Sequence, residues 1–532
     1  MAQVNTNPVP NCNRPIVWTI AGSDSGGGAG IQADLATIND LDAHGCSAIT
    51  AVTAQSSVIV ASVEAVSRQM FTAQLDVLAA DIVPHAIKIG LLANQQQIDL
   101  LASWLQQSHL QWRDRGLVVP VILDPVMVAT CGDTLTGAAT LDFTPLKGLL
   151  TLITPNVTEL ATLAGRQLLT PEESVQAAQT LAAQLQTSVL AKGGDIGPHW
   201  DEELARDLLV CHQVAGISSM HSEQVFWLTS SRISTKNNHG TGCTLSSAIA
   251  TVMAHGFVLN DAVVVAKAYV SQGLAQSYQA GSGPGCLARC GWPNALSVYP
   301  FIEPLYEATA RTSANNLNTS GFKKLTMQLG VYPVVAELDM LQQLLKAGAK
   351  TIQLRVKDPT DPLLEQKIVQ AIAFGRDYRA QVFINDHWQL AIKHQAFGVH
   401  LGQEDLIASN LQQLSDANIA LGLSSHSYFE ILLAMQHKPS YIAFGHIFPT
   451  TTKQMPSAPQ GLDKLARYVD LMQGELPIVA IGGIDSDTLA KVKLTGVDDI
   501  AVVRAVTQAT HPAEAYQALV NQWTEGAVND AL

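Results

Sequence analysis

The chain has 532 residues, 47% of them hydrophobic and 14% charged, with a formal net charge of −14 at pH 7. This length exceeds what one core supports, so two or more domains are expected, and the apolar share excludes a disordered chain. The acidic balance argues against a nucleic-acid partner, because phosphate backbones are bound through excess Lys and Arg. The N-terminus lacks signal-peptide features, and no apolar run reaches membrane-spanning length. We therefore expect a cytoplasmic protein without a membrane partner.

The first predicted strand, residues 16–20, leads into a glycine-rich loop at 21–30, after which a helix begins. The loop is not a Walker motif, because no Gly-Lys-Ser/Thr follows it. A dinucleotide site is also disfavoured, because the next strand ends at Gln55 and not at an acidic residue. Asp24 and Asp34 could either orient a small polar molecule or serve as turn and cap residues.

Further strands of the first half also end in polar residues; they are predicted at 86–90, 118–123, 152–154 and 188–191. Asp124 follows the second of these, Glu159 lies a turn after the third, and Lys192 follows the fourth. Ligands of open parallel sheets bind at the carboxyl ends of the strands, so Asp124 and Glu159 are candidate Mg²⁺ ligands. Each acid alone is better explained as a cap or turn residue, but their joint occurrence favours phosphoryl transfer.

Two glycines bracket Thr241, and an apolar helical pattern follows them. Free amides at a helix start attract anions, and Gly240 and Gly242 would let a phosphate approach the backbone. Cys243 would lie in the first turn, where the helix dipole favours a thiolate that could take a proton from a substrate hydroxyl. The alternative is a glycine-capped core helix with a buried, inert cysteine.

Several motifs of the first half resemble hydroxymethylpyrimidine/phosphomethylpyrimidine kinase, a ribokinase-like enzyme of thiamine synthesis. They occur in the expected order within about residues 14–285, at 21–35, 51–55, 124–129, 154–159, 192–194 and 239–246. The resemblance implies a three-layer α/β/α domain. It also implies two ATP-dependent phosphorylations, from the alcohol to the monophosphate and then to the diphosphate.

The same resemblance implies roles for individual residues. Gln55 would read the pyrimidine edge, with Asp34 and Gly22 nearby. Cys243 would stand where many ribokinase-like relatives carry an Asp base, and Lys192 would take part in catalysis. The ATP site and anion hole for the transferring phosphoryl group would comprise Gly240, Thr241, Gly242, Cys243 and Lys192.

After this first domain the composition shifts to Gly, Pro, Ser and Asn. The polar run 312–321 has no hydrophobic periodicity, as expected of an exposed linker, whereas 298–310 could form a docking helix. We predict a kinase domain at 14–290, a linker at 291–322 and a second domain at 323–525.

Short apolar runs recur through the second half and predict eight strands, at 325–330, 351–356, 381–384, 398–401, 420–423, 441–444, 478–481 and 500–503. Eight strands with helical connections in this length predict a (βα)₈ TIM barrel. The chemistry of such a barrel lies at the carboxyl ends of its strands.

Polar side chains gather at those predicted ends. Gln353, Arg355 and Lys357 alternate along the second strand, so all three point the same way. The later strand ends contribute Asn385, Asp386, Asp405, Ser424, Thr450–Lys453, Gly482, Gly483, Val503 and Arg504. Two acids, three cations and a threonine-rich loop on one rim predict a site for Mg²⁺ and a diphosphate. Interior stacking or a surface salt bridge is the alternative explanation for Arg355 and Lys357.

The second half resembles thiamine-phosphate synthase across about residues 325–520. The motifs are Gln353-x-Arg355-x-Lys357, Asn385-Asp386, Gly402-Gln403-x-Asp405, Thr450–Lys453 and Ala480–Gly483. The resemblance implies that Asp386 and Asp405 bind Mg²⁺ and that Arg355 and Lys453 act in catalysis. Residues holding the pyrimidine diphosphate would be Gln353, Arg355, Lys357, Asn385, Ser424 and Lys453. Residues facing the thiazole phosphate would be Thr450, Thr452, Gly483, Val503 and Arg504.

Together the two resemblances predict a fused enzyme that converts hydroxymethylpyrimidine to its diphosphate and joins this to the thiazole phosphate, releasing pyrophosphate. Mg²⁺ is the implied cofactor, ATP the co-substrate and small molecules the partners; a homo-oligomer is one option. One alternative makes the barrel a non-catalytic sensor of thiazole or thiamine phosphates. A weaker alternative makes the first domain a vitamin-B6-type kinase.

Overall fold

A computed structural model describes residues 14–127, 141–194, 203–212, 225–305, 321–450 and 458–525. The chain divides into two compact units. One comprises Met1–Pro293 and Ser297–Ala310, and the other comprises Asn294–Leu296 and Arg311–Leu532. Within the described ranges, no helix is both long and apolar enough to cross a membrane.

The first unit is built on a ten-stranded sheet. Its strands are β1 (Ile16–Ser23), β2 (His44–Gln55), β3 (Val60–Ala65), β4 (Ala86–Ile89), β5 (Val121–Leu123), β6 (Leu152–Ile153), β7 (Ser188–Ala191), β8 (Leu204–Val210), β9 (Val225–Ser231) and β10 (Phe301–Pro304). Their order is β10-β9-β8-β7-β6-β5-β4-β1-β2-β3. The six strands from β7 to β2 pair in parallel, and β3 and β8–β10 extend the two edges antiparallel.

Helices cover both faces of this sheet and complete the predicted α/β/α layers. They are α1 (Gly30–Asp40), α2 (Arg68–Asp81), α3 (Gln95–Asp114), α4 (Val157–Ala164), α5 (Pro171–Leu185), α6 (Thr241–Ala254) and α7 (Leu259–Ala275). Helices α1, α6 and α7 pack on one another and on the central strands, and α2 to α5 form a second group. The central strands β4 to β7 are buried throughout, as expected of parallel strands covered on both faces.

Strand β1 marks the point where the chain changes direction across the sheet. It pairs with β2 on one side and with β4 on the other. In an open α/β sheet, the loops at such a point diverge and leave a crevice at the carboxyl ends of the strands. The glycine-rich loop that follows β1 therefore lies where this fold binds its ligands.

The predicted linker at 291–322 does not match the structure over its first part. β10 pairs antiparallel with β9, with Ile302 opposite Leu228 and fully buried, so residues 301–304 belong to the first unit. Within the predicted docking helix at 298–310, residues 301–304 form this strand instead, Leu305 is helical, and 306–310 lie outside the described residues. Pro304 is tolerated because the strand lies at the sheet edge. The polar run at 312–320 lies outside the described residues.

The second unit is a closed barrel of eight parallel strands, as predicted. The strands are β11 (Val331–Val335), β12 (Thr351–Leu354), β13 (Gln381–Asn385), β14 (Gly398–Leu401), β15 (Ala420–Ser425), β16 (Tyr441–Phe444), β17 (Ile478–Ile481) and β18 (Asp499–Val502). The helices are α8 (Leu338–Lys346), α9 (Leu364–Tyr378), α10 (Trp388–Lys393), α11 (Gln403–Ala408), α12 (Leu411–Asp416), α13 (Tyr428–Gln436), α14 (Gly461–Met472), α15 (Leu489–Lys493), α16 (Arg504–Thr507) and α17 (Pro512–Glu525).

The first barrel strand lies later than predicted. The sequence favoured 325–330, but the strand is Val331–Val335, and all five of its residues are buried. Pro333 within that run argues against a strand, because proline cannot donate to a ladder. Here Pro333 lies opposite Val502 of β18, and burial of its neighbours decides the register.

Candidate active sites

In the first unit, two glycine loops meet at the carboxyl end of β1. Gly240 precedes α6 in a left-handed conformation, with φ of 79°. A Cβ at this position would collide with the carbonyl oxygen of Gly28, so the two loops can approach this closely only as glycines. The first turn of α6 is thereby brought against the loop that follows β1.

Asp24 joins the same two loops. Its carboxylate accepts hydrogen bonds from the amides of Gly26 and Ala29, both at 2.8 Å, and lies 3.1 Å from Nε2 of His239. Burial acts to raise the pKa of Asp24, but the bonds from His239 and the loop amides outweigh it and lower the pKa. Of the two interpretations of Asp24, the structure supports the turn and cap residue.

Asp124, Glu159 and Lys192 meet at the ends of their strands. Nζ of Lys192 lies 2.7 Å from Oδ1 of Asp124 and 3.9 Å from Oε2 of Glu159. Burial opposes the charge of Lys192, but the two carboxylates hold its pKa above the ordinary value. Thr154 donates to the same Asp124 oxygen at 3.1 Å. Glu159 also completes a capping box with Asn156, so it serves α4 as well.

Gly242 connects this cluster to α6. A Cβ on Gly242 would lie 3.2 Å from Nζ of Lys192 and 3.3 Å from Oδ2 of Asp124. The backbone of the first turn of α6 therefore faces a cation and a carboxylate with no side chain between them. The amides of Gly240, Gly242 and Cys243, together with Lys192, form a cluster suited to a phosphoryl group, whereas the amide of Thr241 donates to the Asn238 carbonyl at 3.4 Å.

Cys243 is partly buried in this first turn. Burial raises the pKa of its thiol to about 11, with Lys88 acting to lower it and Asp34 and Asp124 acting to raise it. The expectation that the helix start favours a thiolate is therefore wrong for the ligand-free protein, because desolvation dominates. The thiol is protonated at neutral pH.

Asp34 is not exposed to a substrate in the way that the resemblance implies. Its side chain is fully buried and paired with Lys88, with Nζ 2.7 Å from Oδ2. Gln55 is partly buried at the end of β2, and its backbone amide donates to Oγ of Ser25 in the glycine loop at 2.8 Å. Its contact with the pyrimidine stays a prediction. Gly22 lies at the end of β1 beside Leu91.

In the second unit, Asp386 and Asp405 come together at the carboxyl end of the barrel. Their carboxylates are close enough for Asp405 to influence the ionisation of Asp386. Burial and the charge of Asp405 raise the pKa of Asp386 to about 6, while Arg355 acts to lower it. Two acids held this close fit a shared divalent cation, whose charge would remove their repulsion. In the described ranges, no group of three or more His, Cys, Asp or Glu residues is arranged to hold a metal.

The amide side chains predicted for the pyrimidine diphosphate lie beside this pair. Nε2 of Gln353 donates to Oδ1 of Asn385 at 3.2 Å, and Nδ2 of Asn385 donates to Asp386. Arg355 is close enough to influence the pKa values of Asp386 and His400. Lys357 is exposed and lies beyond the end of β12.

Ser424 is held by a buried polar chain that the sequence interpretation missed. Its hydroxyl lies 2.9 Å from Nε2 of His400, whose Nδ1 lies 2.8 Å from the Tyr441 hydroxyl. Tyr441 in turn lies 3.0 Å from the Tyr332 hydroxyl. Burial lowers the pKa of His400 to about 4, so the ring is neutral. The only sequence signal was two tyrosines and a histidine on inward-facing strand positions.

The remaining predicted residues follow β16, β17 and β18. The amide of Phe448 donates to the Gly482 carbonyl at 3.0 Å, which sets the loop carrying Thr450 against Gly482 and Gly483. Val503 precedes the short helix α16, which starts at Arg504. Thr452 and Lys453 lie outside the described residues.

Comparisons with known proteins identify relatives of each unit. The family model for phosphomethylpyrimidine kinase matches residues 24–288, and that for thiamine monophosphate synthase matches residues 331–506. The thiamine-phosphate synthase of Pectobacterium atrosepticum is 53% identical over 192 residues, which cover 36% of this chain and 90% of that protein. The thiamine-phosphate synthase of Escherichia coli O6:H1 is 54% identical over 188 residues, covering 35% and 89%.

Among solved structures, phosphomethylpyrimidine kinase from Clostridium difficile 630 is 30% identical and matches 48% of this chain and 98% of its own, with a TM-score of 0.38. Pyridoxal kinase from Staphylococcus aureus, solved with ADP, is 28% identical and matches 55% and 98%, with a TM-score of 0.45. The chain therefore belongs to the thiamine-phosphate synthase family and carries a phosphomethylpyrimidine kinase domain ahead of the synthase domain, so that two transferases of thiamine biosynthesis are combined in one polypeptide.

Proposed function

We propose that the first unit transfers phosphoryl groups from ATP to hydroxymethylpyrimidine and then to its monophosphate. The observation that carries this proposal is the approach of Gly242 to the Lys192–Asp124 pair. Phosphoryl transfer needs little covalent chemistry from the protein and depends on positioning and charge stabilisation. The α6 amides and the Lys192 ammonium would hold the charge of the transferring group, and Gln55 would orient the pyrimidine.

We assign Cys243 the role of proton acceptor for the substrate hydroxyl. Its raised pKa means that only a small fraction of the thiol is ionised at neutral pH. Only this thiolate fraction can accept the hydroxyl proton, so phosphorylation should become faster as the pH rises and the fraction grows. Asp124 and Glu159 are the residues that would hold Mg²⁺, because both carboxylates lie within 3.9 Å of Lys192 beside the proposed phosphate site. The ion would neutralise phosphate oxygens.

For the second unit, we propose that Asp386 and Asp405 hold Mg²⁺, whose chemistry is to neutralise the departing pyrophosphate. Gln353, Asn385 and Ser424 would bind the pyrimidine diphosphate, and Arg355 would stabilise the charge that develops as the carbon–oxygen bond breaks. The thiazole nitrogen then bonds to the pyrimidine methylene carbon. The thiazole phosphate is proposed to face Thr450, Gly483, Val503 and Arg504. The roles of Lys357, Thr452 and Lys453 stay predictions.

The test supplies the purified full chain with ATP, Mg²⁺ and either hydroxymethylpyrimidine or pyridoxine, and separately with pyrimidine diphosphate and thiazole phosphate. We expect ADP formation with hydroxymethylpyrimidine to exceed that with pyridoxine, and pyrophosphate release in the second assay. Turnover of pyridoxine alone would contradict the first assignment. Tight binding of thiazole phosphate without pyrophosphate release would show that the barrel is a sensor.

A further inference from the structure

The Asp34 carboxylate accepts hydrogen bonds from side chains of three other elements of the first unit. Oδ2 accepts from the Thr19 hydroxyl of β1 at 2.5 Å and from Lys88 of β4 at 2.7 Å. Oδ1 accepts from Lys88 at 2.8 Å and from the Ser247 hydroxyl of α6 at 2.7 Å. All four side chains are fully buried. A buried carboxylate that accepts four short hydrogen bonds from three side chains has no remaining direction in which to meet a substrate.

Ser247 connects this cluster to the anion hole. It lies four residues after Cys243, so the two side chains share one face of α6 and are one turn apart. The backbone of α6 begins at the Gly240–Cys243 turn, which has no side-chain cap of its own. The bond from Ser247 to Asp34 therefore ties α6 to β1 and β4 one turn after the anion hole.

Arg289, which lies after α6 in the chain, makes a second contact with the same turn. Nη1 of Arg289 donates to the Thr244 hydroxyl at 3.2 Å, and Nη2 of Arg289 donates to the Ala33 carbonyl of α1 at 3.4 Å. These bonds are longer than those around Asp34, and their donor is only partly buried. The short, fully buried Asp34 cluster is thus the stronger constraint on the start of α6.

We infer that Asp34 is a positioning residue for phosphoryl transfer. Its carboxylate, neutralised by Lys88, holds Ser247 and so sets where the Gly240–Cys243 amides stand relative to the Lys192–Asp124 pair. This inference rests on the proposed kinase function. Misplacing reacting groups by about 1 Å can lower a rate by about a hundredfold, so a loosened α6 should reduce turnover more than substrate binding.

Two hydroxyl donors to Asp34 provide matched variants. Ser247→Ala removes the bond to α6, and Thr19→Val removes the bond to β1, so each leaves the carboxylate with one donor fewer. If the cluster only stabilised the fold, both variants would lower the melting temperature and change kinase kcat to the same extent. Positioning predicts that Ser247→Ala lowers kcat by about tenfold with KM for hydroxymethylpyrimidine within about twofold, while Thr19→Val lowers kcat by less than about threefold.

The amides of residues 241–244 give a second readout that needs no kinase activity. Hydrogen exchange of this turn, measured in the full chain, should be faster in Ser247→Ala than in wild type and Thr19→Val. Synthase turnover of the second unit should be equal in all three proteins. Unchanged exchange in Ser247→Ala, or equal kcat losses in the two variants, would overturn the inference. The wild-type protein could fail to phosphorylate hydroxymethylpyrimidine while Ser247→Ala still exchanges faster at 241–244. In that case the proposed function fails, but the role of Asp34 in positioning α6 stands.

Discussion

Nζ of Lys192 lies 2.7 Å from Oδ1 of Asp124, and the backbone of Gly242 stands against both groups. The pair joins the ends of β7 and β5, which are separated by one strand in the sheet. A partly buried cation and a buried acid face the first turn of α6, and with the amides of that turn they can stabilise the charge of a phosphate. Three sequence motifs that are far apart in the chain meet there.

Gly242→Ala tests this close approach. The new methyl group would lie 3.2 Å from Nζ of Lys192 and 3.3 Å from Oδ2 of Asp124, so the pair must shift or the helix start must withdraw. We expect kinase kcat to fall by about tenfold or more, because charge stabilisation at the transferring group depends on this spacing. Steady-state ADP formation measures the effect, and synthase turnover in the same chain is the control. Wild-type kinase kcat would contradict the assignment.

The pH dependence of phosphorylation tests the role of Cys243. Burial raises its pKa to about 11, so the thiolate fraction of the free enzyme rises tenfold per pH unit between pH 7 and pH 9. If the thiolate is the base, kcat/KM should rise with the same slope, since this parameter reports ionisations of the free enzyme.

Cys243→Ala is the matched variant for that profile. We expect a lower kcat/KM with no pH slope from this group, while pyrophosphate release by the second unit is unchanged. A flat profile in wild type would show that the α6 amides and Lys192 carry the reaction without a cysteine base.

Asp386→Asn tests the carboxylate pair of the barrel. Asp386 has φ of 62°, a left-handed conformation that asparagine tolerates better than alanine, so the backbone should be retained. The variant removes one proposed ligand and should lower synthase turnover by about a hundredfold or more. It also removes the repulsion from Asp405, so the metal-free protein should melt at a higher temperature. Loss of activity with a lower melting temperature would instead indicate damage to the fold.

Tyr441→Phe tests the chain of hydroxyl groups beneath Ser424. It leaves Nδ1 of His400 and the Tyr332 hydroxyl without their shared partner, at a cost of roughly 1–3 kcal/mol for each buried group. We expect lower stability and a severalfold higher KM for the pyrimidine diphosphate. Tyr332→Phe keeps the bond between Tyr441 and His400, so its KM should stay near wild type. Equal KM values in the two variants would remove the role assigned to His400.

Asp499 makes the barrel sensitive to pH far from its active rim. Burial raises the pKa of this group to about 6, while the amide of Gly330, which donates to Oδ1 at 2.7 Å, acts to lower it. The folded state therefore favours the protonated acid, and this group's contribution to stability falls as the pH rises from about 4 to about 6. The loss is at most about 3 kcal/mol for a shift of about two pH units.

Asp499→Asn should remove this dependence. Urea denaturation of the second unit should show the variant gaining stability relative to wild type at pH 7.5 and little or no gain at pH 4. A stability difference that is the same at both pH values would show that Asp499 has an ordinary pKa in the folded chain.

Both fold classes could be predicted because their signals are local. Seven of the eight barrel strands lie at or within two residues of the predicted positions, since each contains a short apolar run that the sequence shows directly. The exceptions have physical reasons. Pro333 argues against the first strand on its own, and β10 becomes a strand only by pairing with β9, which is remote in sequence.

The sequence predicted which residues gather at the candidate sites, but it did not predict the buried residues with which they pair. Asp34 was predicted to bind the pyrimidine because it lies in a motif that resembles the kinase family. Its actual partner, Lys88, is a single lysine in an otherwise apolar strand, and only the folded sheet brings the two together. The ionisation of Cys243 was predicted in the wrong direction for a similar reason. The helix start is visible in the sequence, but the burial that dominates the thiol pKa is not.

Mixing two single variants tests the central claim, that two independent transferase sites share this chain. Cys243→Ala and Asp386→Asn, each supplied with hydroxymethylpyrimidine, ATP, Mg²⁺ and thiazole phosphate, should form little thiamine phosphate alone. The mixture should form it at a substantial fraction of the wild-type rate, because one protein makes the diphosphate and the other consumes it. A mixture that stays as inactive as either variant, or a single variant with wild-type product formation, would contradict the account.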